Sequence, residues 1–176
     1  QTGYTLSGPY VTNYALARFL PDGRLDSSFG GGGKVIAGGL GQQTWSEEAV
    51  LQPDGKIVMA GMAAVTGSST TNMSMARFTP DGRLDSAFGA GGFVESGYSN
   101  YRDNLEKLLL QDDGRILLLD SAYNPNVSTG SNRLGLFRFG SNGSSIGSVD
   151  ELYGFGASKV WASDMALQSD GKIVVI

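Results

Sequence analysis

Cysteine and histidine are both absent from the 176 residues. Without them there are no disulfides, no thiolate or imidazole donors for zinc or haem, and no Ser-His or Cys-His nucleophilic pair. Charge is sparse: Asp, Glu, Lys and Arg make up 17% of the chain, and 13 cations against 17 anions leave a net charge of −4. That balance excludes the basic footprint of a nucleic-acid binder. Long apolar runs are missing too. The longest, Ile57–Val65 with Gly and Ala counted as apolar, falls far short of the roughly 20 residues that span a membrane. No segment sustains a helical period of 3.6. The sequence opens at Gln1 and is expected to be processed from, excised from, or part of a longer protein.

Glycine is what the chain has in excess, with 27 residues, roughly twice the usual share. Its spacing lacks the three-residue period of collagen and follows a longer repeat instead. Leu-Ala-Arg-Phe-Leu-Pro-Asp-Gly at 16–23 returns as Met-Ala-Arg-Phe-Thr-Pro-Asp-Gly at 75–82 and, degraded, as Leu-Phe-Arg-Phe-Gly-Ser-Asn-Gly at 136–143, offsets of 59 and 61. Leu-Gln-Pro-Asp-Gly-Lys at 51–56 returns at 110–115 and 167–172, offsets of 59 and 57. Phe29-Gly30, Phe88-Gly89 and Tyr153-Gly154 each follow an Asp by three residues, at Asp26, Asp85 and Asp150. Three motifs in one order at one period define a threefold repeat.

Each repeat reads as four short strands. In the first complete unit these are Gly33–Ala37, Ala49–Leu51, Lys56–Ala60 and Met73–Phe78, with Pro53-Asp54-Gly55 as the hairpin turn. Apolar residues occur on both strand faces, which suits a small sheet covered on both sides. The fold expected is all-β: a propeller-type array of three four-stranded antiparallel blades forming one domain over 1–176. Its units run roughly 30–88, 89–153, and 154–176 continued by 1–29. Joining the two ends gives 25 residues from Leu167 round to Leu16, against 24 and 26 in the other copies. Ile176 then corresponds to Ala60, and Gln1 to Gly61. Three blades are too few for a typical ring of about 4–8, so further blades are expected from the same chain or from a second copy, a homodimer being the simplest case.

The motifs Ala-Arg-Phe-x-Pro-Asp-Gly-x-Leu-Asp-x-x-Phe-Gly and Leu-Gln-Pro-Asp-Gly-Lys-Ile-Val resemble the delta-60 repeat family, bacterial propeller-like repeats of about 60 residues. The resemblance covers essentially the whole chain. It implies a large secreted or cell-surface bacterial protein and transfers no catalytic motif. The third copy departs from it, with Ser141-Asn142-Gly143 for Pro-Asp-Gly and four extra residues before Tyr153.

The repeated residues are expected to be structural. Pro-Asp-Gly makes turns, with Pro presetting φ, Asp bonding nearby backbone and Gly taking positive φ. Arg18, Arg77 and Arg138 are expected to pair with Asp26, Asp85 and Asp150. Phe29, Phe88 and Tyr153 are expected to plug the core between blades.

Function is expected on the variable loops of one face: Gly38–Glu48, Gly97–Asn104 and Lys159–Asp164, with Thr2–Asn13, Ala64–Asn72 and Ala122–Asn132. Trp45 and Trp161 occupy one repeat position, six residues before the Leu of Leu-Gln, and Asn104 holds it in the middle unit. With Tyr98, Tyr101 and Asp164 they form the candidate ligand site, where aromatic faces stack on sugar rings and polar groups bond hydroxyls. The alternative is that both Trp residues pack between blades. Carboxylates at Glu47, Glu48, Asp103, Glu106 and Asp164 are the available acid–base groups, but their spacing singles out no pair of the kind a glycosidase needs. The sequence therefore points to a non-catalytic binding or scaffold module without cofactor or metal. Its partners would be a glycan or a protein, not nucleic acid, and its location extracellular or at the cell surface. A purely structural array is the alternative.

Overall fold

The computed structural model describes residues 2–6, 12–38, 43–98, 100–126, 132–150 and 161–176, with backbone alone for 2–6 and 148–150. Among the described residues every regular element is a β-strand: β1 Thr2–Leu6, β2 Thr12–Ala17, β3 Lys34–Ala37, β4 Thr44–Leu51, β5 Ile57–Ala64, β6 Thr71–Phe78, β7 Phe93–Ser96, β8 Leu105–Leu110, β9 Ile116–Tyr123, β10 Asn132–Phe139, β11 Ser145–Asp150, β12 Met165–Leu167 and β13 Ile173–Val175. All named strand pairs are antiparallel, and they form four sheets: β1-β2-β3, β4-β5-β6-β7, β8-β9-β10-β11 and β12-β13.

Two four-stranded blades are therefore flanked by a three-stranded and a two-stranded sheet, in place of three equal blades. The blade boundary also lies one strand later than the sequence suggests. The Gly33–Ala37 run, seen as β3, pairs with β2 of the preceding sheet, and β7 completes the second blade. The cause is local. The long connections after Arg18-Phe19 and Arg77-Phe78 fold back so that Arg18 N–H donates to Gly33 O and Arg77 N–H to Gly92 O, returning the chain alongside the strand it has just left.

The turn chemistry is regular. In Pro21-Asp22-Gly23 and its relatives the Gly N–H donates back three residues, Gly23 to Leu20 O at 2.9 Å and Gly55 to Gln52 O at 2.9 Å. The Asp carboxylate accepts the N–H two residues on, as Asp22 does from Arg24 and Asp54 from Lys56. Gly φ falls between 81° and 87° at 23, 55, 82, 114, 143 and 171, a region where side chains are strained. Asp112-Asp113-Gly114 is one of these turns.

The sheets stack face to face, and the core lies between them in three layers. Tyr14, Leu16, Phe29, Met59 and Phe78 fill the first; Val58, Met73, Phe88, Leu108 and Phe137 the second; Leu117, Leu119, Leu134 and Met165 the third. Consecutive residues Val58, Met59 and Ala60 are all fully buried because β5 has a neighbouring sheet on each face. Phe29 and Phe88 are buried plugs as expected from sequence; Tyr153 lies outside the described residues.

Arg18 Nε meets Asp26 Oδ2 at 2.8 Å and Arg77 Nη2 meets Asp85 Oδ2 at 2.9 Å, and each guanidinium also lies over the ring of Phe29 or Phe88. The third copy breaks this pattern. A 14-residue connection, 79–92, leads from β6 to β7, but only 140–144 leads from β10 to β11. The chain passes straight into β11, where Asp150 pairs opposite Gly135, and Arg138 Nε is buried with no hydrogen-bond partner among the described residues. Asp150's side chain lies outside those described.

The ends differ from the sequence expectation as well. Thr2 pairs with Leu16 as Ala60 pairs with Met75, and Gly3 with Ala15 as Gly61 pairs with Ser74, so by register Gly3, not Gln1, stands for Gly61. The connection 7–11 is one residue shorter than 65–70, which draws β1 back along the register. Among the described residues no helix is long and apolar enough to cross a membrane.

Candidate functional site

A cavity of about 430 Å³ opens at the loop end of the blades, lined by Trp45, Glu47, Met62, Thr71, Arg102, Asp103, Asn104, Tyr123 and Trp161. Trp45 stands at the start of β4, Asn104 just before β8 and Trp161 just before β12. The shared repeat position thus becomes a shared place in the fold, because consecutive blades present the same strand entry to one cleft. Trp161 is 54% exposed and Trp45 half-buried. Tyr123, at the end of β9, leans on Trp161 with ring centroids 6.5 Å apart.

The polar wall is built on backbone. Arg102 and Tyr123 exchange N–H···O bonds of 2.7 and 3.1 Å, and Arg102 Nη1 reaches the Tyr123 hydroxyl at 3.2 Å. Asp103 N–H donates to Thr71 O, while Thr71 Oγ1 donates to Asp103 O. The segment 102–104 is therefore tied to β6 and β9 together. A β-bulge at Ser46/Glu48 recurs at Leu105/Lys107. Bulges re-aim side chains, and here Glu48 Oε2 accepts the Leu108 N–H at 2.6 Å while Oε1 meets Lys107 Nζ at 3.1 Å.

Two buried acids support this wall, Asp103 in the lining itself and Asp120 against the Asn104 backbone. Asp103 accepts the Tyr98 N–H, and Asp120 Oδ1 accepts the Asn104 N–H at 2.8 Å. Asp120 is fully buried, and its Oδ2 has no hydrogen-bond partner among the described residues. Burial pushes both carboxyls well above the usual carboxylate range, and the charge of Asp103 raises Asp120 further.

Of the candidate residues, Trp45, Trp161 and Asn104 line the cavity. Tyr98, Tyr101 and Asp164 stand elsewhere. Tyr98 packs edge-on against Phe137 and Tyr101, and the Arg133 guanidinium lies over both tyrosines. Asp164 pairs with Lys107 at 3.3 Å and accepts the Met165 N–H. Sequence reasoning missed Tyr123, Arg102, Thr71 and Met62 as site residues. Tyr123 replaces Ala64 at its register position, so an aromatic gained at a strand end was the available signal. The buried role of Asp120 had none, because it follows a run of leucines in a strand whose faces cannot be assigned from the pattern. Among the described residues no three acidic groups converge to hold a metal ion.

No curated protein matches the chain. A family model described as a domain of unknown function (DUF5122) beta-propeller matches residues 3–29 and 52–88. Those segments contain the two better-preserved Arg-Phe-x-Pro-Asp-Gly copies, and the match supports a β-propeller-like repeat family.

Proposed function

We propose that the chain is a non-catalytic binding module whose cavity takes a carbohydrate. The observation that carries this reading is the convergence of Trp45, Trp161 and Tyr123 with Glu47, Arg102 and Asn104 around one opening. Aromatic faces cover the apolar face of a sugar ring, and planar donors and acceptors at the rim bond its hydroxyls. The neighbouring carboxylates are engaged structurally: Glu48 and Asp164 by Lys107, Glu106 by the Asn104 side-chain amide, Asp103 by burial. The repeats fit the delta-60 type by motif and by their 57–61 spacing, which suits a module of a secreted or cell-surface bacterial protein.

Because Trp161 is half in solvent, Trp161→Ala leaves folding intact. On the glycan selected from an array it is expected to lose about 2 kcal/mol, roughly a 30-fold rise in Kd, by calorimetry. Unchanged affinity in both Trp161→Ala and Trp45→Ala removes the aromatic cavity as the binding site.

A further inference from the structure

Charge on the cavity wall narrows the class of sugar. Arg18, Arg24, Arg77, Arg83 and Arg115 each meet a carboxylate oxygen at 2.6–3.4 Å. Arg102 is the one cation among the described lining residues, and it forms no ion pair among the described residues. Its side chain is exposed, and its one side-chain hydrogen bond there runs from Nη1 to the Tyr123 hydroxyl at 3.2 Å. A guanidinium presents a planar fork of N–H donors that matches both oxygens of a carboxylate. Most of that fork is left for a ligand.

The cation is held in place. Arg102 N–H donates to Tyr123 O at 2.7 Å, Tyr123 N–H to Arg102 O at 3.1 Å, and the next residue's N–H to Thr71 O at 3.1 Å. Tyr123 joins it to the aromatic wall, with its hydroxyl on the guanidinium and its ring centroid 6.5 Å from that of Trp161. A sugar stacked on these rings therefore lies beside a fixed positive charge. The acids of the wall do not cancel it. Asp103 is buried and accepts the Tyr98 N–H, and burial pushes its carboxyl up to about 7, so it is largely protonated in mildly acidic solution. Glu47 stands exposed in the bulge of β4, without an ion pair or hydrogen bond among the described residues. Unanchored, it must give up on binding the side-chain freedom that Arg102 has partly lost already.

Resting on the carbohydrate reading above, we propose that the ligand is an acidic sugar of the uronic acid class, its ring on the aromatic faces and its carboxylate held by the Arg102 guanidinium. Arg102 is then the residue that sets specificity. Glu47 is the opposing charge at the same opening. It weakens the acidic ligand by like-charge repulsion and limits how tightly the site holds it. The two residues thus act in opposite directions on one ligand, which a neutral hydroxyl-bonding site would not show.

The test titrates the tryptophan emission with oligomers of galacturonic, glucuronic and mannuronic acid, each against its own methyl ester, which keeps the ring and removes the charge. Neutral oligosaccharides are run alongside, all at about pH 6, where free sugar carboxylates are ionised. At least one acid is expected to bind about tenfold tighter than its ester, with a preference that shrinks as salt is added. Arg102→Gln is expected to remove the preference, Arg102→Lys to restore part of it, and Glu47→Gln to widen it. Both side chains are exposed, so neither change opens the core. Esters or neutral sugars that bind as tightly as the acids overturn the acidic class and leave the carbohydrate reading standing. An acid preference that Arg102→Gln leaves unchanged overturns the role of Arg102. No response to any acidic or neutral sugar overturns both readings.

Discussion

Replacing Arg77 with Leu is expected to lower the unfolding free energy by about 3 kcal/mol, the scale of removing one partner from a buried ion pair. Arg77 is 5% exposed. It serves Asp85, the Ser141 carbonyl, the Gln52 side chain and the face of Phe88 together. Its loss removes a nearly buried cation from acceptors on two sheets and uncovers the face of Phe88, although Asp85 keeps Lys56 and Ser141 O keeps Gln52 Nε2. The same change at Arg18 is expected to have a much smaller effect, although the motif is identical. Arg18's side chain is 38% exposed, and water replaces most of what it gives up. Urea unfolding of the two variants side by side measures the difference; equal losses would contradict burial of Arg77 as its source.

Stability is also expected to fall as pH rises from about 4 through neutrality, because Asp103 and Asp120 are buried with raised pKa values. Asp103 and Asp120 hold their protons in the folded chain above the pH at which the unfolded chain releases them. Between those points the folded state binds more protons, so raising pH favours unfolding. The turn and ion-pair carboxylates act the other way. Asp22, Asp26, Asp54, Asp81, Asp85, Asp164 and Asp170 are held below their ordinary value, chiefly by nearby hydrogen bonds and cations. Their contribution is present above the ordinary carboxylate range and is lost only as pH falls through the lowered values. Maximum stability is therefore expected near pH 4–5. Asp120→Asn should flatten the alkaline decline in a series of urea titrations, and a decline that the variant leaves unchanged would place its source elsewhere.

The turns and the Arg–Asp pairs of the first two copies were legible because each rests on contacts within one repeat. Gly at positive φ, Asp bonding two residues on, and Arg eight residues before Asp are all local relations. The blade boundary was less legible, since a short run such as Lys34–Ala37 has no mark of its own that says which sheet it joins. The third copy's departure showed as extra residues before Tyr153. Its consequence, an Arg138 Nε without a hydrogen-bond partner among the described residues, depends on a connection shortened in space. The aromatic site was half visible: equal repeat position brought Trp45, Asn104 and Trp161 together. Tyr98 and Tyr101 are close to Asn104 in sequence but turn toward Phe137 and Arg133 instead. Sequence proximity within a loop does not decide which side of a strand edge a ring falls on.

The chain contains two Trp residues, and both line the proposed carbohydrate cavity, so its tryptophan fluorescence reports on that site alone. Titrating oligosaccharides of differing composition while recording the emission is the most direct measurement of the account. A saturable change in intensity or wavelength with one sugar class, halved or lost in Trp161→Ala, is the result expected. A spectrum that no sugar alters, at concentrations well into the millimolar range, would contradict carbohydrate binding at this cavity.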